Sequence, residues 1–221
     1  MNPSSVTTSE IVVSTRDAAL EGSLVVPPRT QGIVLFAHGS GSSRFSARNR
    51  YVAEVLNGGG LATLLFDLLT AEEHRVDEWT HEIRFDIDLL SARLTGAIDW
   101  LETREDVEHL PVGLFGASTG AAAALRAAAQ RREVVAAVVS RGGRPDLVMN
   151  ELCRVEAPTL LIVGGDDEEV LELNRKAAAR LHCEHTLEIV PGATHLFEEP
   201  GKLERVAELA RDWFQRYLVA E

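Results

Sequence analysis

Gly116-Ala117-Ser118-Thr119-Gly120 has the spacing of a serine squeezed into a tight turn, with small residues two places to either side. A hydroxyl held out in that way can act as a nucleophile, provided that a neighbouring base takes its proton. The chemistry then needs an imidazole to accept the proton and return it to the leaving group. It also needs a carboxylate to hold that imidazole in one tautomer and stabilise it once charged. His195, in the loop Pro191-Gly192-Ala193-Thr194-His195, supplies the imidazole. Asp166 and Asp167, adjacent after Gly164-Gly165, compete for the carboxylate role. Only one of two neighbours in an extended turn points at the histidine. The glycine turn should bring the later one round, so Asp167 is expected and Asp166 is the alternate.

A tetrahedral intermediate needs donors aimed at its oxyanion. The N–H of Thr119 follows the serine and opens a helix, whose dipole adds to its pull. The second donor is expected from the turn His38-Gly39-Ser40-Gly41, at Ser40 with Gly41 as alternate, and His38 is expected to brace that turn. Arg44, Arg48, Arg141 and Arg144 lie in or near loops on the same edge. Arg141 and Arg144 are candidates for bidentate contact with a substrate carboxylate, against the plainer alternative of solvated or structurally paired arginines. Trp79 and Phe197 are candidates for apolar wall, or simply for core.

These groups need strands and helices to carry them. Glu10–Ser14 and Glu21–Val26 are expected as opening strands, Gly32–Ala37 as an apolar strand, Ala47–Leu56 as a helix and Leu61–Phe66 as the next strand. Residues 67–82 are polar and expected to be irregular. Ile83 to Thr103 carries apolar residues at helical spacing. Pro111–Phe115 is a strand that feeds the serine turn, and the alanine-rich run Ala121–Ala129 is the helix that leaves it. Strands at Val134–Ser140, Thr159–Val163 and Thr186–Val190 then alternate with helices at Val170–Leu181 and Leu203–Leu218. The stretch Arg141–Ala157 has room for one small helix, over Pro145–Leu152, and therefore for little or no cap over the site. Short apolar strands alternating with helices predict a mostly parallel sheet covered on both faces, within one domain over residues 1–221.

Composition narrows the function. With 22 Lys and Arg against 34 Asp and Glu, the net charge of -12 argues against a nucleic-acid partner. No apolar run approaches the ~18 residues of a membrane span, so no membrane partner is expected. Met1–Glu10 lacks the basic and apolar blocks of a signal peptide, which makes the cytoplasm the default location. Cys153 and Cys183 are expected as reduced thiols. The cluster His182-Cys183-Glu184-His185 does not converge if it is extended, because neighbouring side chains alternate faces, so no metal is expected.

The elbow at 116–120, the His38–Gly41 turn, the Gly164–Asp167 turn and the Gly192–His195 loop together resemble the α/β-hydrolases. Within that superfamily the short chain is similar to the dienelactone hydrolase-like group, over residues 20–218. The order Ser118, Asp167, His195 is the one associated with that elbow. The resemblance implies a sheet of about eight strands flanked by helices, an intracellular enzyme and no cofactor. Dienelactone hydrolases proper use a cysteine nucleophile where this chain has Ser118, so their substrate is not carried over. A serine esterase acting on a small carboxylic ester is what remains, with thioesters and lactones sharing the tetrahedral chemistry. A nucleotide-binding domain is the chief rival, because Gly39-Ser40-Gly41 follows a strand and Asp67 ends the next. Its third glycine position is held by Ser43 or Arg44, and the motif is not on the first strand. A hydrolase fold kept as a catalytically silent binding module is the other alternative.

Overall fold

The computed structural model describes residues 5–219, so the first part of Met1–Glu10 lies outside the described residues. The strands β3 (Ile33–Ala37), β4 (Ala62–Phe66), β5 (Val112–Ala117) and β7 (Thr159–Gly164) are buried along their whole length. Since side chains alternate faces along a strand, such a run must be covered on both sides, as central strands of a parallel sheet are. β6 (Val135–Arg141) lies between β5 and β7. β1 (Thr7–Ser14), β2 (Ala19–Val26) and β8 (His185–Val190) keep exposed or half-exposed positions and take the outer places. The order across the sheet is β1-β2-β4-β3-β5-β6-β7-β8. β1 and β2 pair antiparallel, as do β2 and β4, and every other pairing is parallel. This is the eight-stranded, mostly parallel α/β-hydrolase sheet that the sequence leads one to expect.

Helices cover both faces. On one, α1 (Ala47–Gly58) and α6 (Lys202–Leu218) lay Val52, Leu56, Phe214 and Leu218 against Phe36 and Phe115. On the other, α3 (Ile87–Leu101) and α4 (Thr119–Gln130) lay Leu94, Ile98 and Leu125 against Leu35 and Leu114. Leu35 and Phe36 are neighbours on β3 and go to opposite cores, as the pleat requires. The alanines of α4 are buried, and their small size lets that helix sit close to the strand feeding it.

Three local expectations change. Residues 67–82 contain a helix, α2 (Ala71–Thr80), nucleated by a capping box. Thr70 Oγ accepts the Glu73 N–H at 3.2 Å, and the Glu73 carboxylate accepts the Thr70 N–H at 2.8 Å. The long helix expected from Ile83 starts instead at Ile87, because Asp86 caps it by accepting the Leu89 N–H at 3.0 Å. Ile83–Phe85 forms a separate 3-10 turn. Between β6 and β7 there are two 3-10 turns, Pro145–Val148 and Leu152–Arg154, in place of a small α-helix. The helix α5 (Glu168–Ala178) completes the set.

The strand order sets the position of the site. β3 pairs with β4 on one side and with β5 on the other. Chains leaving the C-terminal ends of β3 and β5 therefore diverge, and open α/β sheets bind ligands in the crevice at such a switch point. With Ala37 opposite Gly116, the His38–Gly41 turn and Ser118 emerge side by side.

Candidate active site

Ser118 sits between β5 and α4 with φ 53° and ψ -119°. A non-glycine residue at positive φ carries roughly 1–3 kcal/mol of strain, tolerated only where the surroundings enforce it. Here they do. The Ser118 N–H donates to the Arg141 carbonyl at 3.1 Å, and the Ser118 carbonyl accepts the N–H groups of Ala121 and Arg144, each at 3.1 Å. The flanking glycines are needed for space. A Cβ built on Gly116 would land on Ala121, and one built on Gly120 would land on the Ala37 carbonyl. The first N–H groups of α4 have no acceptor within the helix, which leaves the Thr119 N–H beside the hydroxyl.

His195 Nδ1 lies 2.6 Å from Asp167 Oδ2, with the carboxylate mostly buried and the imidazole about one-third exposed. A carboxylate accepts only, so Nδ1 is the donor, and in the neutral ring it is Nε2 that keeps the lone pair. The Asp166 N–H donates to the Ala193 carbonyl at 3.0 Å, which ties the acid turn to the histidine loop. The Asp166 side chain is exposed. The two neighbours thus face different ways.

Ser118 and His195 line one cleft of about 200 Å³, together with Ser40, Arg48, Asn49 and Arg141. Its third wall is the turn after β3. His38 Nε2 accepts the Leu68 N–H at 3.1 Å, so Nδ1 is the protonated nitrogen and donates to the Gly39 carbonyl at 3.0 Å. Burial holds the His38 pKa below its ordinary value, in keeping with a neutral ring. In a trans peptide the N–H points opposite to the C=O, so anchoring the Gly39 carbonyl turns the Ser40 N–H away from His38. That N–H has no intramolecular acceptor among the described residues. Gly39 itself abuts the elbow, since a Cβ there would meet Ser118 Cβ at 3.3 Å.

The other candidate residues are placed differently. Arg144 pairs with Asp146 through two bonds of 2.8 Å. Trp79 is 89% exposed on α2, and Phe197 is 1% exposed in the core beneath α6. None of these three lines the cleft. Arg44 closes on Asp67 and Glu21 beside a neighbouring hollow of about 320 Å³. Arg48 reaches Glu198 at 3.0 Å across the rim.

Arg141 does line the cleft. It is 7% exposed, and its Nε and Nη1 find no partner among the described residues. Burial, together with the nearby charge of Arg48, pushes its pKa down to about 10. Asn49, like Ser46 and Leu196, is a lining residue that the sequence did not single out. It falls on the stripe Asn49, Val52, Ala53, Leu56, the buried face of α1. A polar residue on an otherwise apolar helical stripe was the available signal.

Among the described residues no group of His, Cys, Asp and Glu is arranged to hold a metal, Cys153 and Cys183 are free thiols, and no helix is long and apolar enough to cross a membrane.

Comparison with known proteins agrees with this architecture. The model of the dienelactone hydrolase family matches residues 20–219. A crystal structure of a dienelactone hydrolase from Anabaena variabilis is 58% identical and superposes with a TM-score of 0.95, over 96% of this chain and 99% of that one. Est1E from Butyrivibrio proteoclasticus shares the fold at 17% identity and a TM-score of 0.79, over 94% of this chain and 98% of that one. A Mycobacterium tuberculosis protein provisionally named a phosphoribosyl transferase is 60% identical over 209 residues, which is 95% of this chain and 46% of that protein. The chain thus spans about half the length of that relative.

Proposed function

This chain belongs to the dienelactone hydrolase family, and from that premise we propose that it is a serine hydrolase of small carboxylic esters, working through Ser118, His195 and Asp167. The observation carrying this reading is the strained Ser118 in one cleft with His195, whose Nδ1 is bonded to Asp167. In the proposed reaction His195 Nε2 takes the Ser118 proton as Oγ attacks the ester carbonyl carbon. The carbonyl oxygen becomes an oxyanion beside the N–H groups of Ser40, with Gly41 as alternate, and Thr119. Each such donor is worth about 3–4 kcal/mol of transition-state stabilisation. The charged imidazole, steadied by Asp167, then gives its proton to the departing alkoxide oxygen as the C–O bond breaks. Water repeats the sequence on the acyl-enzyme, releasing the acid and restoring Ser118. Thioesters and lactones fit the same steps. A lactone differs only in that its leaving oxygen stays tethered to the acyl chain.

The small cleft, with only two 3-10 turns between β6 and β7, supports a compact substrate over a long acyl chain. The transferase name belongs to a protein twice this length, and no feature of this chain favours extending it here.

Ser118→Ala should lower turnover of p-nitrophenyl acetate by about a thousandfold or more while the melting temperature holds. A fluorophosphonate probe should label the native enzyme and leave the variant unlabelled, which also separates an enzyme from a silent binding module. Turnover that survives the substitution sinks the assignment.

A further inference from the structure

We propose that Asn174, two helical turns beyond Asp167 on α5, is a positioning residue of the reaction: its amide holds the Gly142–Gly143 turn against the His195 ring. This rests on the serine hydrolase reading and adds to it a residue that does not line the cleft.

Asn174 is fully buried, on the helix whose N-cap is Asp167. Its Nδ2 donates to the Val170 carbonyl at 2.8 Å and to the Gly143 carbonyl at 3.0 Å. A carbonyl oxygen only accepts, so two of them fix the nitrogen on that side of the amide. Oδ1 is then buried with no partner among the described residues. A buried acceptor without a donor is unfavourable, and a leucine of nearly the same shape would avoid it. The Val170 bond does not account for the amide, because that carbonyl already lies inside the α5 ladder. The Gly143 carbonyl receives no backbone N–H among the described residues, and Asn174 is what satisfies it.

Gly143 belongs to a bridge, Arg141–Arg144, that touches both the nucleophile and the base. At one end the Arg141 carbonyl accepts the Ser118 N–H, and at the other the Arg144 N–H donates to the Ser118 carbonyl, each at 3.1 Å. Between them Gly142, at φ 51°, donates to the Ile162 carbonyl at 2.8 Å. A Cβ built on Gly142 would lie 3.3 Å from His195 Cε1 and 3.4 Å from Nδ1, so this backbone packs against the ring edge between its two nitrogens. Asp167 holds the ring at one atom, and a single hydrogen bond leaves it free to tilt. The Gly142 backbone limits that tilt, and Asn174 ties the backbone to the helix that carries Asp167. Displacement of reacting groups by about 1 Å can cost about a hundredfold in rate, so slack in this bridge should be felt at Ser118.

Two substitutions separate the bonds. Asn174→Leu removes both. Asn174→Thr keeps one, since a threonine hydroxyl donates to the carbonyl four residues back and ends short of Gly143. Each should lower kcat for p-nitrophenyl acetate by about tenfold or more, leave KM within about twofold, and slow fluorophosphonate labelling of Ser118 in step. Wild-type kcat in either variant overturns the proposal, and recovery with threonine alone would mean that Asn174 serves only α5. Gly142→Ala sets a methyl against His195 and should lower kcat by itself. Combined with Asn174→Leu, the loss should fall well short of the product of the two, because both act through one turn. A fully multiplicative loss also overturns it.

Proton NMR gives a readout that needs no turnover. The His195 Nδ1 proton, in a bond of 2.6 Å to Asp167, should resonate far downfield, as protons in short charge-assisted bonds do. It should broaden or shift in both Asn174 variants and stay as in wild type in Cys153→Ser, at an exposed control position. A resonance unmoved in both Asn174 variants sinks the positioning role. A wild type that neither turns over the ester nor labels at Ser118 tells against the hydrolase reading instead, and the resonance then decides the hold on His195 alone.

Discussion

Arg93 and Arg141 are both buried arginines, and they are treated in opposite ways. Arg93 comes from α3, and its Nε donates to Asp17 at 3.1 Å while its terminal nitrogens reach Glu73 at 2.7 and 3.1 Å. Burial alone would lower its pKa, but the two carboxylates outweigh that and raise it. The group is closed on itself, and it clamps α2 and the β1–β2 turn onto α3. Arg141 is also buried, with no such closure, so burial, together with the nearby charge of Arg48, wins and the pKa falls to about 10. A saturated cation has been spent on holding the fold. An unsaturated one in the cleft beside Ser118 keeps its N–H groups free of such a role.

The same division separates Asp167 from Glu73. Both carboxylates accept from a cationic or ring N–H, but only the partner of Asp167 opens onto the cleft. The largest effect expected from this contrast is therefore on rate. Asp167→Asn should lower kcat by about a thousandfold or more, because an amide no longer fixes the His195 tautomer, while Asp166→Asn should lower it far less. Steady-state kinetics on p-nitrophenyl acetate would show the ranking, and its reversal would mean that the exposed neighbour is the working acid.

Next in size is Arg93→Met, which leaves Glu73 half-buried without its cation and should lower unfolding stability by about 3 kcal/mol, read from urea melts. Specific activity of the folded fraction should hold. Burial works to raise the Glu73 pKa, but the Arg93 bonds prevail and depress it. A depressed carboxylate contributes stability that is present above its unfolded pKa and is lost as pH falls through its folded one. The gap between wild type and variant should then narrow below about pH 4. A gap independent of pH would mean that Arg93 acts through packing of its stem.

Much of this could be read in the chain before folding. The four short, largely apolar strands and the glycine-flanked serine announced the sheet and the elbow, because burial on both faces and a tight turn each restrict residue type strongly. Helix α2 escaped notice because its pattern is polar. Its stability comes from the cap at Thr70 and Glu73 and from a corner where Asp77 binds Arg84, at 2.7 Å from Nε. The local signal, a threonine followed three places on by a glutamate, was there to be used. What could not be read is which arginine is paired. Arg44, Arg93, Arg141 and Arg144 look alike in sequence, yet the partners of Arg44, Arg93 and Arg144 lie from two to 76 positions away and the Arg141 Nε and Nη1 have none among the described residues. Whether a guanidinium is saturated is a property of the folded neighbourhood.

The smallest effect is the most discriminating. Removing a buried charge that has no partner relieves a desolvation penalty without orphaning an acid, so Arg141→Met should leave stability within about 1 kcal/mol of wild type, or raise it. The Phe197 ring, whose centroid lies 6.0 Å from the guanidinium carbon, then faces a methionine, whose flexible thioether packs favourably against aromatic rings and limits any cavity term. Urea melts of Arg141→Met and Arg93→Met side by side isolate the difference, since both delete one buried cation and add the same side chain. If both fall equally, Arg141 has partners in solution that close it as firmly as Glu73 and Asp17 close Arg93, and it is structural after all. If only Arg93→Met falls, the fold is carrying an unpaired cation in the cleft beside Ser118 at a standing energetic disadvantage.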